Sequence, residues 1–162
     1  LGDLMDRRKF VSYKAAKDFR ERFILPFSTL DIDLHIMIGN HDTFYKNTND
    51  VNCVEELLGN RHKNIKIYPE AEEVEFDGTK ILFLPWINGQ NSIYSEGMID
   101  ETTAEICMGH LEIAGFQMMK GIVNEHGISK SIFRKFDSVF SGHFHTKSDD
   151  GQIFYLGAPY EL

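Results

Sequence analysis

The feature that most restricts the fold of this chain is a short apolar run that ends in a glycine and is followed at once by a polar residue. The pattern occurs in full three times, at Gly39, Gly109 and Gly142. Leu1-Gly2 looks like the tail of a fourth run. Short apolar runs bounded by glycine predict buried strands, and the glycine lets the backbone turn sharply at the carboxyl end of each.

The segments between these strands have helical patterns. Residues 11–27 place small and aromatic side chains at helical spacing. Residues 51–58 predict a short helix, for which Asp50 is a better N-cap candidate than Asn49 because it lies directly before Val51. Residues 129–136 predict another helix, capped by Ser129.

Further strands are predicted at residues 65–68 and 152–156. Residues 72–76 and 80–84 flank Asp77-Gly78, a pair that favours the tight turn of a hairpin. The whole pattern predicts an α/β fold with a mixed sheet. The loops at the carboxyl ends of its strands should share one edge, where open α/β sheets bind ligands.

Residues of metal-binding type follow each glycine-ended run, so one sheet edge should collect them. They are Asp3 and Asp6, then Asn40, His41 and Asp42, then His110, and finally His143 and His145. Carboxylate, amide and imidazole ligands together suit manganese, iron or zinc better than calcium. Two such ions are a common device for cleaving phosphoesters, with Asp3 bridging them. His41 lies next to a ligand, where it could donate a proton to the leaving oxygen.

These motifs resemble those of the calcineurin-like metallophosphoesterases. The matching segments are Gly2-Asp3-x-x-Asp6, Gly39-Asn40-His41-Asp42, Gly109-His110 and Gly142-His143-Phe144-His145. The resemblance implies a four-layer α/β/β/α sandwich. It also implies that Asp3 bridges two metals, that Asn40, His110 and His143 bind one of them, that His145 binds the other, and that His41 is the catalytic histidine.

Finer motifs are similar to the SbcD-type nuclease branch, and within it to the recombination endonuclease subunits of T-even-type phages. They include Pro85-Trp86 and the segment from Tyr155 to Tyr160. This similarity implies manganese-dependent exonuclease and endonuclease action on DNA in recombination and repair, with an SbcC-like ATPase partner. Magnesium, iron or zinc are alternative metals.

The family's opening Asp-x-His motif, which supplies two ligands of the second metal, is expected upstream of Leu1. On this interpretation residues 1–162 form one nuclease domain that lacks its first strand and is also truncated at its C-terminus. The second metal would then keep only Asp3 and His145, which leaves the activity of the chain itself open. A missing central strand would leave an unpaired edge, through which a homodimer could form.

Several residues have two interpretations. Asp6 and Asp42 are expected to support the ligands rather than bind metal. Arg7, Arg8 and Tyr45 are candidate DNA contacts, although a solvated basic face and buried packing are the alternatives. The net charge of −8 predicts weak DNA binding by the chain alone, since phosphate contacts come mainly from Lys and Arg.

No secretory leader or membrane-length apolar run is present, so a cytoplasmic location is expected, the host cytoplasm if the protein is phage-encoded. Cys53 and Cys107 are expected to stay reduced. The alternative functions are a phosphatase or nucleotide phosphodiesterase of the same superfamily, and a scaffold fragment that is catalytically incomplete.

Overall fold

The computed structural model describes residues 1–59 and 61–159, which form an α/β structure. The helices are α1 (Tyr13–Phe19), α2 (Leu25–Ser28), α3 (Cys53–Leu58) and α4 (Ser92–Glu101), with a π-helical segment at Arg20–Ile24 and a 3₁₀ helix at Lys130–Phe133. The strands are β1 (Leu34–Met37), β2 (Ile65–Tyr68), β3 (Glu72–Phe76), β4 (Thr79–Leu84), β5 (Ile106–Gly109), β6 (Gln117–Met119), β7 (Ile122–Val123), β8 (Ser138–Ser141), β9 (Ser148–Asp149) and β10 (Ile153–Tyr155).

The main sheet has six strands in the order β3-β4-β5-β8-β10-β9. The pairs β4-β5, β5-β8 and β8-β10 are parallel, whereas β3-β4 and β9-β10 are antiparallel. Strands β1 and β2 form a separate parallel pair. The predicted α/β class with a mixed sheet is therefore confirmed.

The predicted hairpin at residues 72–84 is also confirmed. Asp77 and Gly78 both have positive φ, 49° and 85°. A tight two-residue hairpin turn of type I′ requires positive φ at both central positions, so the Asp-Gly pair sets the register of β3 on β4.

The predicted helix at residues 11–27 is confirmed from Tyr13 onward. Ser12 caps it, since its hydroxyl accepts a hydrogen bond from the amide of Ala15 at 3.1 Å. Phe19, Phe23 and Phe27 follow at four-residue spacing with ring centroids 5.6 and 5.9 Å apart. This aromatic row is the helical periodicity visible in the sequence.

The N-cap prediction for the next helix was wrong. Asn52, not Asp50, caps α3, because its side-chain oxygen accepts a hydrogen bond from the amide of Glu55 at 2.8 Å. The helix predicted over residues 129–136 is shorter, a 3₁₀ helix at Lys130–Phe133, and its predicted cap at Ser129 is confirmed.

Leu1-Gly2 do not form a strand, which corrects the expectation of a fourth strand tail. The Leu1 carbonyl accepts a hydrogen bond from a side chain, the Nδ1 of His110 at 2.8 Å, instead of from a neighbouring strand. The backbone at Leu1 is thus bound to a polar side chain at the end of β5.

Helix α4 and the hairpin of β6 and β7 were not predicted. The hairpin projects exposed apolar side chains, with Met118, Met119, Ile122 and Val123 each 39–53% exposed. Neither segment has the regular spacing of apolar residues that marks helices and strands in sequence.

Three apolar clusters hold the fold together. The largest packs one face of the main sheet, a second packs α3 and Ile24 against β1 and β2, and a third, smaller cluster contains Met37, Tyr68 and Phe83. His35 joins this third region half-buried, with its Nδ1 2.7 Å from the hydroxyl of Tyr68, as expected of a hydrogen-bonded core histidine. The third cluster joins residues of β1 and β2 to residues of the main sheet, so it connects the two sheets.

Two further expectations concern cysteines and membranes. Cys107 is buried, Cys53 is half-buried, and both thiols are free. Among the described residues, no helix has the length and apolarity needed to cross a membrane.

Candidate metal centre

Four of the predicted ligands lie together at the carboxyl ends of β1, β5 and β8. Their closest atoms are Asp3 Oδ2, Asn40 Oδ1, His110 Nε2 and His143 Nδ1. The His110 nitrogen lies 3.2 Å from the Asp3 oxygen, 2.9 Å from the Asn40 oxygen and 3.3 Å from the His143 nitrogen. The Asn40 oxygen is also 3.0 Å from the His143 nitrogen. We call these residues the donor cluster.

The contacts of His110 determine which of its nitrogens has a free lone pair. The ring is almost fully buried, with 1% exposed, and its Nδ1 lies 2.8 Å from the Leu1 carbonyl. A carbonyl only accepts, so Nδ1 carries the proton and Nε2 of the neutral ring has a lone pair. That lone pair faces the oxygen atoms of Asp3 and Asn40. In this tautomer no hydrogen lies between His110 Nε2 and the oxygens of Asp3 and Asn40, an arrangement that a cation would stabilise.

The ionisation of the cluster suits metal binding at neutral pH. Burial lowers the pKa of His143 to about 4. Burial alone would raise the pKa of Asp3, but the contact with His110 and the His41 amide hold it below its ordinary value. An ionised carboxylate and a neutral imidazole are the forms that bind metals.

Two residues of the cluster have strained backbones. Asp3 and His143 have positive φ, 54° and 75°. Such conformations cost about 1–3 kcal/mol in residues other than glycine and concentrate at functional sites. The folded chain holds both side chains in the cluster in spite of that cost.

Gly39 allows the backbone of Asp3 to approach the end of β1 closely. A Cβ at Gly39 would lie 2.2 Å from the Asp3 amide nitrogen and 2.3 Å from its Oδ1. This corrects the expected role of the strand-end glycines. Of Gly2, Gly39, Gly109 and Gly142, only Gly2 has positive φ, so close packing rather than a sharp turn requires glycine at Gly39.

His41 lies beside the donor cluster with its ring exposed. Its backbone amide donates to Asp3 Oδ1 at 2.7 Å, and its Nδ1 lies 2.7 Å from the carbonyl of Asp6. The carbonyl fixes the proton on Nδ1, which leaves Nε2 free toward solvent. Asp6 acts here through its backbone, since its side chain is 89% exposed.

Asp42 connects the two chain segments that carry Asp3 and Asn40. The residue is buried and accepts hydrogen bonds from the amides of Met5 at 3.1 Å and Gly39 at 2.8 Å. The Cys53 thiol lies 3.7 Å from the same carboxylate, and burial raises the pKa of Cys53 to about 12. Asp42 thus orients its neighbours, and its carboxylate faces amides rather than the donor cluster.

His145 lies apart from the donor cluster. Among the described residues, the group whose ligand atoms all lie within 4.8 Å of one another contains Asp3, His110 and His143 but not His145. His145 is exposed and lines the same cleft of about 440 Å³ as those three residues. Of the DNA-contact candidates, Arg7 and Tyr45 are exposed and Arg8 is half-buried. Tyr160 lies outside the described residues.

Trp86 forms one wall of the cluster. Its ring lies 5.4 Å from the ring of His143 and 6.2 Å from that of His110, measured between centroids. The Leu1 carbonyl could not be identified from sequence as a partner of His110, because every residue has a carbonyl and its use depends on the fold.

The chain is similar in sequence to a known phage protein. The "Exonuclease subunit 1" of Enterobacteria phage T4 is 35% identical over 161 residues, which are 99% of this chain and 47% of that protein. The chain spans about half the length of this curated relative. This similarity confirms the resemblance to a T-even-type phage nuclease subunit. No protein-family model matches the chain.

Proposed function

We propose that this chain is the catalytic core of a metal-dependent DNA nuclease subunit. Two findings support the proposal from different directions. The chain is similar over nearly its whole length to a phage exonuclease subunit. The donor cluster also places Nε2 of His110 against the oxygens of Asn40 and Asp3, with no proton between nitrogen and oxygen when Nδ1 donates to the Leu1 carbonyl.

This convergence of acceptors is the observation that carries the proposal. A structural role for four polar side chains would require donors to meet acceptors, as in other buried polar clusters. Here Nε2 of His110 faces the oxygens of Asn40 and Asp3 at 2.9 and 3.2 Å. A divalent cation fits this donor set, and its mixture of carboxylate, amide and imidazole suits manganese, with magnesium, iron or zinc as alternatives.

The roles of the ligands follow the resemblance. Asp3 would be shared by two ions, Asn40, His110 and His143 would hold one of them, and His145, which lines the cleft, would bind the second. Bound ions of this kind supply a water of lowered pKa and neutralise charge on the phosphoryl oxygens.

His41 is proposed as the catalytic histidine. Because its Nδ1–H donates to the Asp6 carbonyl, the exposed Nε2 can gain a proton and present it to an oxygen in the cleft. A leaving oxygen that takes this proton departs as a neutral alcohol. The ring cannot rotate freely while the Asp6 carbonyl holds it, so the proton keeps a fixed direction.

The finer features of the fold and the partners belong to the same proposal. Residues 1–162 would form one metallophosphoesterase domain with an α/β/β/α layer order, and the apolar cluster that joins the two sheets supports this order. The substrate would be DNA, contacted by Arg7, Arg8 and Tyr45, and the partners an SbcC-like ATPase and a second copy of the chain.

The first experiment is a calorimetric titration with Mn²⁺ of this chain and of a form extended upstream of Leu1. We expect the chain to bind Mn²⁺ through the donor cluster and Asn40→Ala to remove that binding. Absence of binding in both forms would contradict the proposal. In that case the Asn40 amide would point its nitrogen at the two imidazoles, and the cluster would be structural, as in the scaffold alternative.

A second experiment separates the nuclease from the phosphatase alternative. The Mn²⁺-loaded extended form is incubated with single-stranded DNA, duplex DNA and a mononucleotide ester, and the products are separated. Cleavage of DNA is the expected result. Hydrolysis of the small ester alone would favour a phosphatase or nucleotide phosphodiesterase.

A further inference from the structure

The segment that contains Trp86 connects the chain segments that carry the donor cluster. The amide of Trp86 donates to the carbonyl of Ile38 at 2.8 Å, directly before Gly39-Asn40. Two residues earlier, the carbonyl of Leu84 accepts from the amide of His110 at 2.9 Å. The backbone around Trp86 therefore contacts both the loop of Asn40 and the loop of His110.

Three buried asparagines hold this segment from the other side. Asn49, Asn88 and Asn91, which we call the amide cluster, are 2%, 9% and 4% exposed. Their side-chain nitrogens lie 2.9, 3.5 and 3.1 Å from the carbonyl oxygen of Trp86. Asn49 also donates to the carbonyl of Pro69 at 2.9 Å, next to β2.

The asparagines of the amide cluster also bond to one another. The Asn88 amide donates to Asn49 Oδ1 at 3.0 Å, and the backbone amide of Asn88 donates to Asn91 Oδ1 at 2.8 Å. Buried polar networks in which every group is paired are rigid, and they fix the position of what they bind. The group they bind here is the carbonyl of the residue whose indole packs on His143 and His110.

We infer that the amide cluster is a positioning device for the metal centre and acts through Trp86. It fixes the Trp86 backbone, the indole restricts the His143 and His110 rings, and the ring nitrogens stay directed at one point. The inference rests on the proposed function, because it assumes that the donor cluster binds a metal. Asn49, Asn88 and Asn91 are positioning residues, and none is among the four residues of the donor cluster.

The test compares Asn49→Ala and Asn91→Ala with Asn64→Ala. Asn64 is a matched control, since its amide also donates to backbone carbonyls, those of Phe27, Leu30 and Ile32 at 3.1–3.3 Å, but none of these belongs to the donor cluster. Loss of outer ligand-orienting contacts weakens metal binding by about 10–100-fold. We expect calorimetry to give an Mn²⁺ dissociation constant about tenfold higher for Asn49→Ala and Asn91→Ala, and an unchanged constant for Asn64→Ala.

The role of Trp86 is tested in a double-mutant cycle. If the asparagines act through the indole, adding Asn49→Ala to Trp86→Ala weakens Mn²⁺ binding no further, whereas Trp86→Phe keeps most of the affinity. Independent, multiplying losses in the double variant would overturn the inference. So would equal losses in Asn49→Ala and the Asn64→Ala control.

A measurement without metal separates this inference from the proposed function. Trp86 is the only tryptophan of the chain, so its fluorescence reports its surroundings directly. We expect Asn49→Ala and Asn91→Ala to increase acrylamide quenching of Trp86, and Asn64→Ala not to. Absence of Mn²⁺ binding by the unmutated chain and by its upstream-extended form would contradict the proposed function. Unchanged quenching in all variants would overturn the inference.

Discussion

The donor cluster and the amide cluster are two groups of side chains on either side of Trp86, and they differ in how their hydrogen bonds are matched. In the amide cluster, side-chain amides meet carbonyl oxygens, as Asn49 meets Trp86 at 2.9 Å. In the donor cluster, acceptors meet acceptors, as His110 Nε2 meets Asn40 Oδ1 at 2.9 Å. The same distance of 2.9 Å is therefore a hydrogen bond in the amide cluster and a contact between two acceptors in the donor cluster. A close polar contact indicates a binding site when its donors and acceptors fail to match.

The largest expected effect is on metal binding by the donor cluster. His110→Ala removes the nitrogen that lies closest to the other three ligands, and we expect it to weaken Mn²⁺ binding more than about 100-fold, measured by calorimetry. His62→Ala, outside the cluster, is the control and should bind as the wild type does. Equal binding by both variants would mean that the contrast between the clusters has no functional meaning.

The next effect is on stability and tests the close packing at Gly39. Gly39→Ala would place a Cβ 2.2 Å from a backbone nitrogen, and we expect it to lower the free energy of unfolding by about 3 kcal/mol, measured by urea denaturation. Gly97→Ala is the matched control, because a Cβ at that helical position meets nothing within 4 Å. It should be neutral or stabilising, and a loss equal to that of Gly39→Ala would contradict the packing argument.

A third effect distinguishes the clusters by pH, because only the donor cluster contains titratable groups. Burial lowers the pKa of His143 to about 4 from 6.5, so between these values the unfolded chain binds the proton and the folded chain does not. Stability of the metal-free chain should therefore fall as pH falls from 6.5 to about 4, by on the order of 2 kcal/mol.

The contribution of His143 is isolated by repeating the pH series on His143→Gln. The difference in the free energy of unfolding between the wild type and His143→Gln should shrink toward pH 4. Asn91→Ala should lower the free energy of unfolding by the same amount at every pH. A pH dependence of equal slope in the wild type and in His143→Gln would show that His143 is not buried as described.

The smallest expected effect lies next to the amide cluster, at the helix cap. Asn52→Ala removes the side chain that accepts from Glu55 and donates to the carbonyl of Asn49 at 2.9 Å. We expect a loss of about 1 kcal/mol in the free energy of unfolding. Asp50→Ala is the control for the corrected N-cap prediction and should change thermal melting little.

The sequence could predict the features that depend on local pattern. The strand ends at Gly39, Gly109 and Gly142 and the hairpin turn at Asp77-Gly78 follow from residue type and spacing alone. The same pattern predicted that Asp3, Asn40, His110 and His143 would share one edge, and the structure brings them together.

The sequence could not predict contacts in which one partner is a backbone carbonyl. The Leu1 carbonyl that orients His110 and the Trp86 carbonyl that binds the amide cluster have no signature in residue type. The N-cap was misassigned for a related reason. Asp50 and Asn52 are both suitable caps, and the choice depends on where the backbone first becomes helical.

The contacts of the two clusters also set an order of events during synthesis. Asn49 lies 37 residues before Trp86, and Asn91 lies five residues after it. The hydrogen bonds of the amide cluster can therefore form once residue 91 has left the ribosome. The donor cluster joins Asn40 to His143 across 103 residues and Leu1 to His110 across 109. Contacts so distant in sequence cost more loop-closure entropy to form. A nascent chain can therefore form the hydrogen bonds around Trp86 before the donor cluster, which cannot assemble until His143 has emerged.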